Sequence, residues 1–344
     1  MQSQHTKHTA LGIEKNHALR EILNALELAP KGHWDELRGG VSTIPGEGTD
    51  SIFGAVLEST QVTPHWAHFL SQLGAEGLQG LPHRHETMVR QIRDNGMTYN
   101  VYANADQPQR PWSLDLLPLI LSSQDWQQIQ TGVLQRMRLL EGIMSDVYGM
   151  QHLLKQGALP YALVQGHPGY LHAMQGHAPV GGRHLNLAAF DLVKGPDGCW
   201  WLLSQRTQAP SGLGYLLENR QIIANQFAPA FESMPVQGLA ESYRSFVNAL
   251  KLRTRAGMQA HIALLTPGPY NETYFEQAYL ARYLGLSLVQ GSDLLVRDEK
   301  LYLKTLEGLK AVHGLLKRVD DDWLDPLELR AVPSRSPYRS LPQP

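Results

Sequence analysis

The stretch DLVKGPDGCWWLLSQRTQAPSGLGYLLENR, residues 191–220, decides how the middle of the chain folds. It begins at Asp191, at the end of a run of alternating residues, and continues through the turn sequence Gly-Pro-Asp-Gly at 195–198. A short apolar segment at 200–203 follows the turn. Because Pro-Asp-Gly favours a tight turn between two strand-forming segments, the sequence predicts a β-hairpin. A polar, glycine-rich loop at 204–214 and a helix come next.

The predicted hairpin places Asp191, at the end of one strand, near residues 204–207 at the far end of the other. Oxygen ligands gathered from two neighbouring strands suit a hard cation such as Mg²⁺ that holds phosphates. Asp191 is therefore a candidate metal ligand.

The loop after the hairpin carries Pro-Ser-Gly-Leu-Gly at 210–214, directly before a helix. Backbone N–H groups exposed in front of a helix are an arrangement suited to phosphate. The alternative is a loop-to-helix connection without any ligand. The pattern alone favours this alternative.

Helical periodicity is clearest at 122–148, where Ser122 is placed to cap the helix with Asp125 three residues on. One apolar stripe runs along this helix, and we interpret it as core packing. Its members are Trp126, Ile129, Val133, Met137, Leu140, Met144 and Val147. Further helices are predicted within 62–95, and two more within 215–255.

The region from 261 onward predicts a compact α/β unit, with a polar linkage at 254–259 marking the boundary before it. A strand, a loop, a helix capped by Asn271 and a second strand give a βαβ pattern. These elements occupy 261–265, 266–269, 271–284 and 287–289. Short strands are expected to extend the same sheet at 294–296, 301–303 and 315–319.

Composition excludes several classes of protein. The chain has 344 residues, 42% hydrophobic and 18% charged, which is ordinary for a globular protein of about two domains. A net charge of −2 gives no basic surface for nucleic acid. The single cysteine, Cys199, excludes an internal disulfide and fits a reducing compartment. Without a membrane-spanning run or a signal core, the protein is expected to be cytoplasmic, with no membrane partner.

Five motifs along the chain carry a resemblance to a known family. They are RQIRDNGMTYNVY (90–102), GHPGY (166–170), RTQAPSG (206–212), LTPGPYNETYFEQAYLARYLG (265–285) and RVDDDWLDPLELR (318–330). Together they resemble the circularly permuted type 2 ATP-grasp proteins, which are similar to the glutathionylspermidine-synthase-like ligases. The resemblance runs from about Trp34 to Arg330. It implies an α/β (α+β) fold and an ATP-dependent carboxylate–amine ligase that uses ATP and Mg²⁺ on small-molecule or peptide-like acids and amines.

The resemblance also divides the chain. Residues 1–33 are expected to form a leader and a helix, 34–255 the metal- and substrate-binding half of an ATP-grasp fold, and 256–330 a domain like the family's pre-ATP-grasp domain. The half with the lid is expected after Arg330. Instead, AVPSRSPYRSLPQP at 331–344 predicts a disordered tail, so an incomplete fold and a truncation near Ala331 are our hypothesis.

Site residues follow from the resemblance position by position. The metal ligands are Asp191 and Gln205, the catalytic residues are Arg206 and Ser211, and contacts to nucleotide or substrate come from Arg93, Asn100, Gly212, Asn219 and Arg220. Two positions depart from the wider superfamily: Gln205 replaces a carboxylate, and Thr207 replaces an amide. A site with less negative charge is expected to hold Mg²⁺ more weakly.

Two other classes of function stay open. A non-catalytic remnant or binding module that lacks the lid half is expected to expose apolar surface and to self-associate. Hydrolysis by a Ser or Cys nucleophile is disfavoured, because Cys199 lies on a strand and the chain has no Gly-x-Ser-x-Gly elbow.

Each of four smaller features has an ordinary structural reading as well as a functional one. The His-Arg-His-Glu cluster at 83–86 has the wrong spacing for two ligands on one helix face, which favours a surface helix start. His167 is a site residue or a turn residue, and the sequence does not decide. The acidic run 320–322 is read as a solvated turn and Trp34 as an anchor for a loop.

Overall fold

The computed structural model describes residues 29–41, 62–99 and 112–324. The predicted N-terminal helix, Asn100 and the predicted tail at 331–344 lie outside the described residues.

The longer described helices agree with the predicted periodic segments in position, although the ends differ by a few residues, and four helices of four to six residues were not predicted. They are α1 (Pro64–Gln79), α2 (Leu81–Asp94), α3 (Ser123–Val147), α4 (His152–Lys155), α5 (Tyr161–Val164), α6 (Leu213–Gln226), α7 (Ala228–Ser233), α8 (Ala240–Leu252), α9 (Tyr274–Leu284) and α10 (Asp321–Leu324). Short 3₁₀ turns occur at His172–Met174, Gly257–Gln259 and Gly291–Asp293.

The described strands form four small sheets. They are β1 (Trp34–Asp35), β2 (Gly40–Val41), β3 (Ala189–Lys194), β4 (Trp200–Arg206), β5 (Ile262–Leu265), β6 (Ser287–Val289), β7 (Leu294–Arg297), β8 (Lys300–Thr305), β9 (Gly308–Val312) and β10 (Gly314–Lys317). The sheets pair β1 with β2, β3 with β4, β10 with β5 and β6, and β7 with β8 and β9.

The parallel sheet has the order β10-β5-β6, so β5 is its central strand. All four residues of β5 are buried, and this continuous apolar run is typical of a strand covered on both faces. The chain leaves β5 through α9 to β6 on one side and returns later to β10 on the other. The strand order therefore reverses at β5, and the carboxyl ends of β5 and β10 lie side by side.

The predicted hairpin is present as β3 and β4. Ala189 pairs with Arg206 and Asp191 with Ser204, and a bulge follows Asp191. Lys194 and Trp200 close the hairpin next to the turn. The structure thus confirms that Asp191 lies opposite the far end of the second strand.

One prediction about the sheet was wrong. The strands expected at 294–296 and 301–303 do not extend the parallel sheet; as β7 and β8 they join β9 in a separate antiparallel meander. Tight two-residue connections at Asp298–Glu299 and Leu306–Glu307 separate these strands, and such turns join antiparallel neighbours. The strand expected at 315–319 does enter the parallel sheet, as β10.

Two clusters of buried side chains share residues of α6, and the second of them reaches the parallel sheet. The first lies between α1, α2, α6 and α7 and includes Phe69, Met88, Ile222 and Phe227. The second lies between α6, α8, α9 and β5. Since α6 contributes to both clusters, it joins the helical region to the α/β unit.

The stripe on α3 is only partly core. Ser122 caps the helix as predicted and accepts the N–H of Asp125 at 3.0 Å. Ile129 and Val147 are buried, whereas Trp126 is 43% exposed. The apolar period therefore identified the helix correctly but overstated its burial.

Among the described residues, no helix combines the length and apolar character needed to cross a membrane.

Candidate functional site

Three loops meet at the carboxyl ends of β5 and β10. The first is the loop 207–212 after the hairpin, the second is the loop 266–273 between β5 and α9, and the third begins at Arg318 after β10. In open α/β sheets, ligands bind outside the carboxyl ends of the strands at the point where the strand order reverses. This edge of the sheet is therefore the candidate functional site.

A buried ion pair connects these loops. The Arg318 guanidinium lies 3.2 Å from the carboxylate of Glu276 in the first turn of α9, and the side chains are 5% and 1% exposed. The Arg318 guanidinium also donates to the carbonyl of Pro210 at 2.7 Å. The backbone N–H of Arg318 donates to the carbonyl of Leu265 at 2.8 Å. One arginine thus contacts the hairpin loop, α9 and β5.

The Glu276 carboxylate also occupies the start of α6. It accepts the backbone N–H of Gly212, and the amides of Gly214 and Tyr215 stabilise it further. Burial raises the pKa of Glu276, and Arg318 together with these N–H groups opposes that rise. The N–H of Gly212, predicted to face a phosphate, therefore faces a carboxylate of the protein itself.

A neighbouring residue organises the second loop. Gln277, 1% exposed, accepts the Thr266 hydroxyl and donates to Asn271 and Thr273 at 2.9 Å each. Asn271, predicted to cap the helix, accepts the N–H of Thr273 at 3.0 Å. The helix itself begins at Tyr274, so the predicted cap closes the loop in front of it.

The end of the hairpin carries the predicted metal and catalytic residues. Arg206 donates to the Asp191 carboxylate at 2.8 Å, and the Ser204 hydroxyl donates to the same carboxylate. The side chains of Arg206 and Asp191 are 61% and 44% exposed. Gln205 pairs with Phe190 in the register and therefore points to the opposite face of the hairpin. The structure brings Asp191 to Arg206 but not to Gln205.

In this arrangement the two predicted metal ligands, Asp191 and Gln205, do not lie together. The single carboxylate, Asp191, is already paired with a cation, Arg206, and Gln205 lies on the other face. Across the described part of the chain, no three His, Cys, Asp or Glu side chains are grouped so that they could hold a metal ion. Mg²⁺ at nucleotide sites is usually held by one or two carboxylates together with substrate phosphates and water, so a metal ion beside Asp191 would depend on the oxygens of a bound nucleotide.

Two predicted contact residues on α6 have partners away from the loop. The Asn219 side chain accepts the indole N–H of Trp112 at 3.0 Å. Arg220 donates to the carbonyl of Gln237 at 2.9 Å. Both side chains are half-buried, and in this structure they pack α6 against neighbouring segments.

The remaining predicted site residues are exposed or outside the described part. Ser211 is exposed on the loop 207–212, and Gly212 precedes α6. Arg93 is exposed on α2, in a shallow groove that it shares with His85, Glu86, Val89 and Arg90. Asn100 lies outside the described residues.

The smaller features follow their ordinary readings except for the acidic run, where Asp321 and Asp322 lie in α10 and not in a solvated turn. The cluster 83–86 lies in the first turns of α2, as expected for a surface helix start. His167 accepts the N–H of Gly169 at 3.0 Å within a turn. In the acidic run, Asp321 contacts Lys317 and accepts from Gln208. Trp34 lies against Lys194 of the hairpin, 4.8 Å from the ring centre.

Sequence reasoning missed Glu276, Gln277 and Arg318 as organising residues. A signal was present for the first two, because adjacent Glu and Gln follow a Pro-Gly-Pro loop in the first turn of a mostly apolar helix. Two adjacent polar residues in such a helix raise the chance that one of them faces the interior, although the pattern alone does not require it. The partner of each depends on tertiary contacts that no local pattern encodes.

The family can now be stated. The model for circularly permuted ATP-grasp type 2 proteins matches residues 118–335, more than half of the chain. The chain belongs to this family, which confirms the predicted resemblance and the α/β fold class.

Its curated relatives are longer proteins. An uncharacterized protein of Mycobacterium tuberculosis is 35% identical over 307 residues, covering 86% of this chain and 34% of the relative. An uncharacterized protein of Synechocystis is 32% identical over 284 residues, covering 82% of this chain and 58% of the relative. The chain therefore spans only part of the length of the relatives it matches.

Among solved structures, a glutathione synthetase-like effector from Globodera pallida in the apo form is similar with a TM-score of 0.44. The sequences are 16% identical, and the match covers 71% of this chain and 58% of that one. A similarity at this distance carries no argument about function.

Proposed function

We propose that the chain is part of an ATP-dependent carboxylate–amine ligase that acts in the cytoplasm. In this reaction a carboxylate oxygen attacks the γ-phosphorus of ATP, ADP leaves, and an amine then displaces phosphate from the acyl phosphate. Family membership supports this class, since ATP-grasp proteins generally bind ATP with Mg²⁺. The small-molecule or peptide-like nature of the acid and the amine is part of the proposal.

One observation carries the proposal beyond family membership. The loops 207–212 and 266–273 and the segment after β10 meet where the strand order of the parallel sheet reverses. Three of the five motifs behind the resemblance supply these loops, although they are far apart in the chain. Their meeting at a position suited to ligands favours a shared binding role.

The hairpin ends in an exposed cation directly before one of these loops. The Arg206 guanidinium is more than half exposed, and it immediately precedes the loop. A guanidinium that faces solvent beside a binding loop is suited to contact phosphate oxygens, on which charge builds up during transfer. In the proposal Arg206 contacts phosphate, and Asp191 holds the guanidinium in place.

Calorimetric titration of ATP, with and without Mg²⁺, tests the proposal. We expect Mg²⁺-dependent binding to the wild type that is weakened by at least about tenfold in Asp191→Ala and Arg206→Ala. Asp197→Asn is the matched control, because it removes an exposed acid at the turn of the same hairpin but keeps the side-chain oxygen that accepts the N–H of Cys199. An exposed ion pair contributes little to stability, so neither site variant should unfold.

Acyl phosphate formation is tested separately. Hydroxylamine converts an acyl phosphate to a hydroxamate, so acids that are substrates should yield hydroxamate and ADP in equal amounts. No binding at millimolar ATP would contradict the proposal for this chain. Binding without hydroxamate from any acid would support a binding role only.

A non-catalytic binding module is the second candidate. The observation in its favour is that Glu276 already fills the start of α6, while Arg206 already pairs with Asp191. Groups that are satisfied within the protein need no ligand to explain them. Equal ATP affinity in the wild type and Arg206→Ala would favour this candidate.

A further inference from the structure

The first turn of α9 carries two adjacent polar side chains that are almost completely buried. Glu276 and Gln277 are each 1% exposed. Adjacent residues on a helix point about 100° apart, so the two side chains reach different neighbours. Neither was part of the site expected from the sequence.

Glu276 reaches the loop 207–212. Its carboxylate accepts the N–H of Gly212 and pairs with Arg318, which donates to the carbonyl of Pro210. Both ends of the Pro-Ser-Gly sequence are therefore tied to one ion pair. Within the same loop, Ala209 has φ 36°, a left-handed conformation that a residue with a side chain adopts only at a cost.

Gln277 reaches the other loop. It bonds to Thr266 at the beginning of that loop and to Asn271 and Thr273 near its end. The Thr266 hydroxyl also accepts the N–H of Gly268 at 3.1 Å. The hydrogen bonds of the Gln277 amide thus lie within the loop 266–273.

We propose that Glu276 and Gln277 are positioning residues, each of which holds one of the two loops at the carboxyl ends of β5 and β10. Glu276 holds the loop 207–212 through Gly212 and Arg318, and Gln277 holds the loop 266–273. Because the two residues are neighbours on one rigid helix, the loops have a fixed position relative to each other. The importance of that position for ligand binding rests on the proposed function.

Chemistry explains why polar residues are used here. Well-packed apolar side chains in place of a buried ion pair are often equally stable or more stable. Apolar contacts, however, have no direction, whereas hydrogen bonds define both distance and angle. The two residues therefore specify the loop conformations rather than add to overall stability.

Hydrogen–deuterium exchange of the ligand-free protein tests the proposal. Glu276→Gln keeps the side-chain shape but removes the charge, and Gln277→Met removes the amide. Glu232→Gln is the matched control, because it removes an acid from an exposed position on α7, outside both loops. We expect exchange at 207–214 to rise by about tenfold or more in Glu276→Gln, with no change at 266–273.

Gln277→Met should show the opposite pattern, with faster exchange at 266–273 only, and Glu232→Gln should change neither loop. A general loss of stability would instead accelerate both loops in both variants, and that result would overturn the proposal. Unchanged exchange at 207–214 in a folded Glu276→Gln protein would overturn it as well.

Arg318→Lys provides a second measurement if Glu276→Gln does not fold. Lysine keeps the charge but has one ammonium in place of the two guanidinium nitrogens that contact Pro210 and Glu276. Faster exchange at 207–214 is again expected, and unchanged exchange overturns the proposal. The exchange results need no ligand, so a wild type that fails to bind MgATP contradicts the proposed function without deciding the role of these residues.

The affinity for MgATP is a further measurement. It should stay unchanged if Glu276 affects only the stability of the loop. In a wild type that binds MgATP, Glu276→Gln is expected to bind more weakly by about tenfold at a temperature where it is fully folded. Glu232→Gln should bind like the wild type. Full affinity in Glu276→Gln despite faster loop exchange would show that the position of the loop does not matter for the nucleotide, and would overturn the link to function.

Discussion

The guanidinium of Arg318 lies 3.2 Å from the carboxylate of Glu276, and this pair joins β10 to α9 in the interior of the protein. Within the described residues it links elements separated by 42 positions in the sequence. The desolvation of two charges is costly, and their mutual attraction offsets that cost only while both partners are present. Removing one partner therefore leaves a buried charge without compensation.

The first prediction concerns this pair. Arg318→Ala is expected to lower the free energy of unfolding by about 3–5 kcal/mol, because the Glu276 carboxylate stays buried without its cation. Denaturant unfolding measures the change. Arg297→Ala is the control, since its partner Asp298 is 85% exposed and exposed pairs contribute about 0–1 kcal/mol. If both variants lost the same free energy of unfolding, the buried pair would contribute no more to stability than the exposed pair.

The second prediction concerns the contact between α6 and α9. A Cβ atom on Gly214 would lie 2.6 Å from the carbonyl oxygen of Glu276, a backbone atom that cannot move away easily. Alanine is favoured over glycine within helices by about 1 kcal/mol, but overpacking costs about 1–3 kcal/mol. Gly214→Ala is therefore expected to be destabilising on balance.

Gly132 in α3 provides the matched control for that substitution. A Cβ atom there meets no heavy atom within 4 Å, so Gly132→Ala should gain up to about 1 kcal/mol from helix propensity. Thermal or denaturant unfolding of both variants gives the comparison. Stabilisation by Gly214→Ala would mean that α6 and α9 lie farther apart than the structure places them.

Local patterns in the sequence identified the elements that depend on local chemistry. The Pro-Asp-Gly turn correctly predicted the hairpin and placed Asp191 opposite the far end of β4. The Ser122 cap and the βαβ pattern around β5 were also correct. In each case the residues that determine the element are close together in the sequence, so periodicity and turn chemistry suffice.

The site depended on contacts that are not local, and these were not predictable in the same way. Gly212 was expected to face a phosphate, but its N–H meets the side chain of Glu276, 64 positions later in the chain. The separate meander of β7, β8 and β9 was missed because strand composition does not identify the partner strand. Pairing and packing across long separations decide both features.

The third prediction concerns self-association. On the outer face of the hairpin, Val193, Trp201 and Leu203 are 41%, 57% and 68% exposed. Neighbouring apolar side chains on an exposed face, with two strand edges that pair with no other described strand, favour contact with a second copy of the chain. We expect a concentration-dependent rise in the sedimentation coefficient, and we expect Leu203→Lys to reduce it.

Leu306 is the control for that variant, because it is fully exposed in the turn between β8 and β9, away from the hairpin face. Leu306→Lys adds the same charge and should leave the association unchanged. A wild-type protein that sediments as a monomer at all concentrations would contradict the prediction.

The fourth prediction is that the free energy of unfolding depends on pH through Asp125 of α3. This residue accepts hydrogen bonds from Lys194 and Trp200 of the hairpin. Burial acts to raise the pKa of Asp125, but hydrogen bonds from Lys194, Trp200 and Ser122 outweigh it and hold the pKa below the ordinary value of 3.8. The Lys194 ammonium lies 2.7 Å from the carboxylate, and the Trp200 indole nitrogen lies 2.9 Å from it. The folded state therefore favours the ionised form.

A lowered pKa fixes the sign of the effect. The stabilisation is fully present above the unfolded-state pKa of 3.8 and is lost as the pH falls through the lower folded-state pKa. At pH 7 we expect Asp125→Asn to lower the free energy of unfolding by about 2 kcal/mol, the usual contribution of hydrogen bonds to a charged group. Below pH 3.8 the difference between the two proteins should shrink steadily. Burial lowers the pKa of the nearby His65, and the titration of His65 contributes to the curves of both proteins.

Denaturant unfolding of both proteins between pH 2.5 and 7 tests this pH dependence, in buffers of about 0.15 M ionic strength. A difference that stays constant down to the lowest pH would show that Asp125 acts through packing and not through its charge.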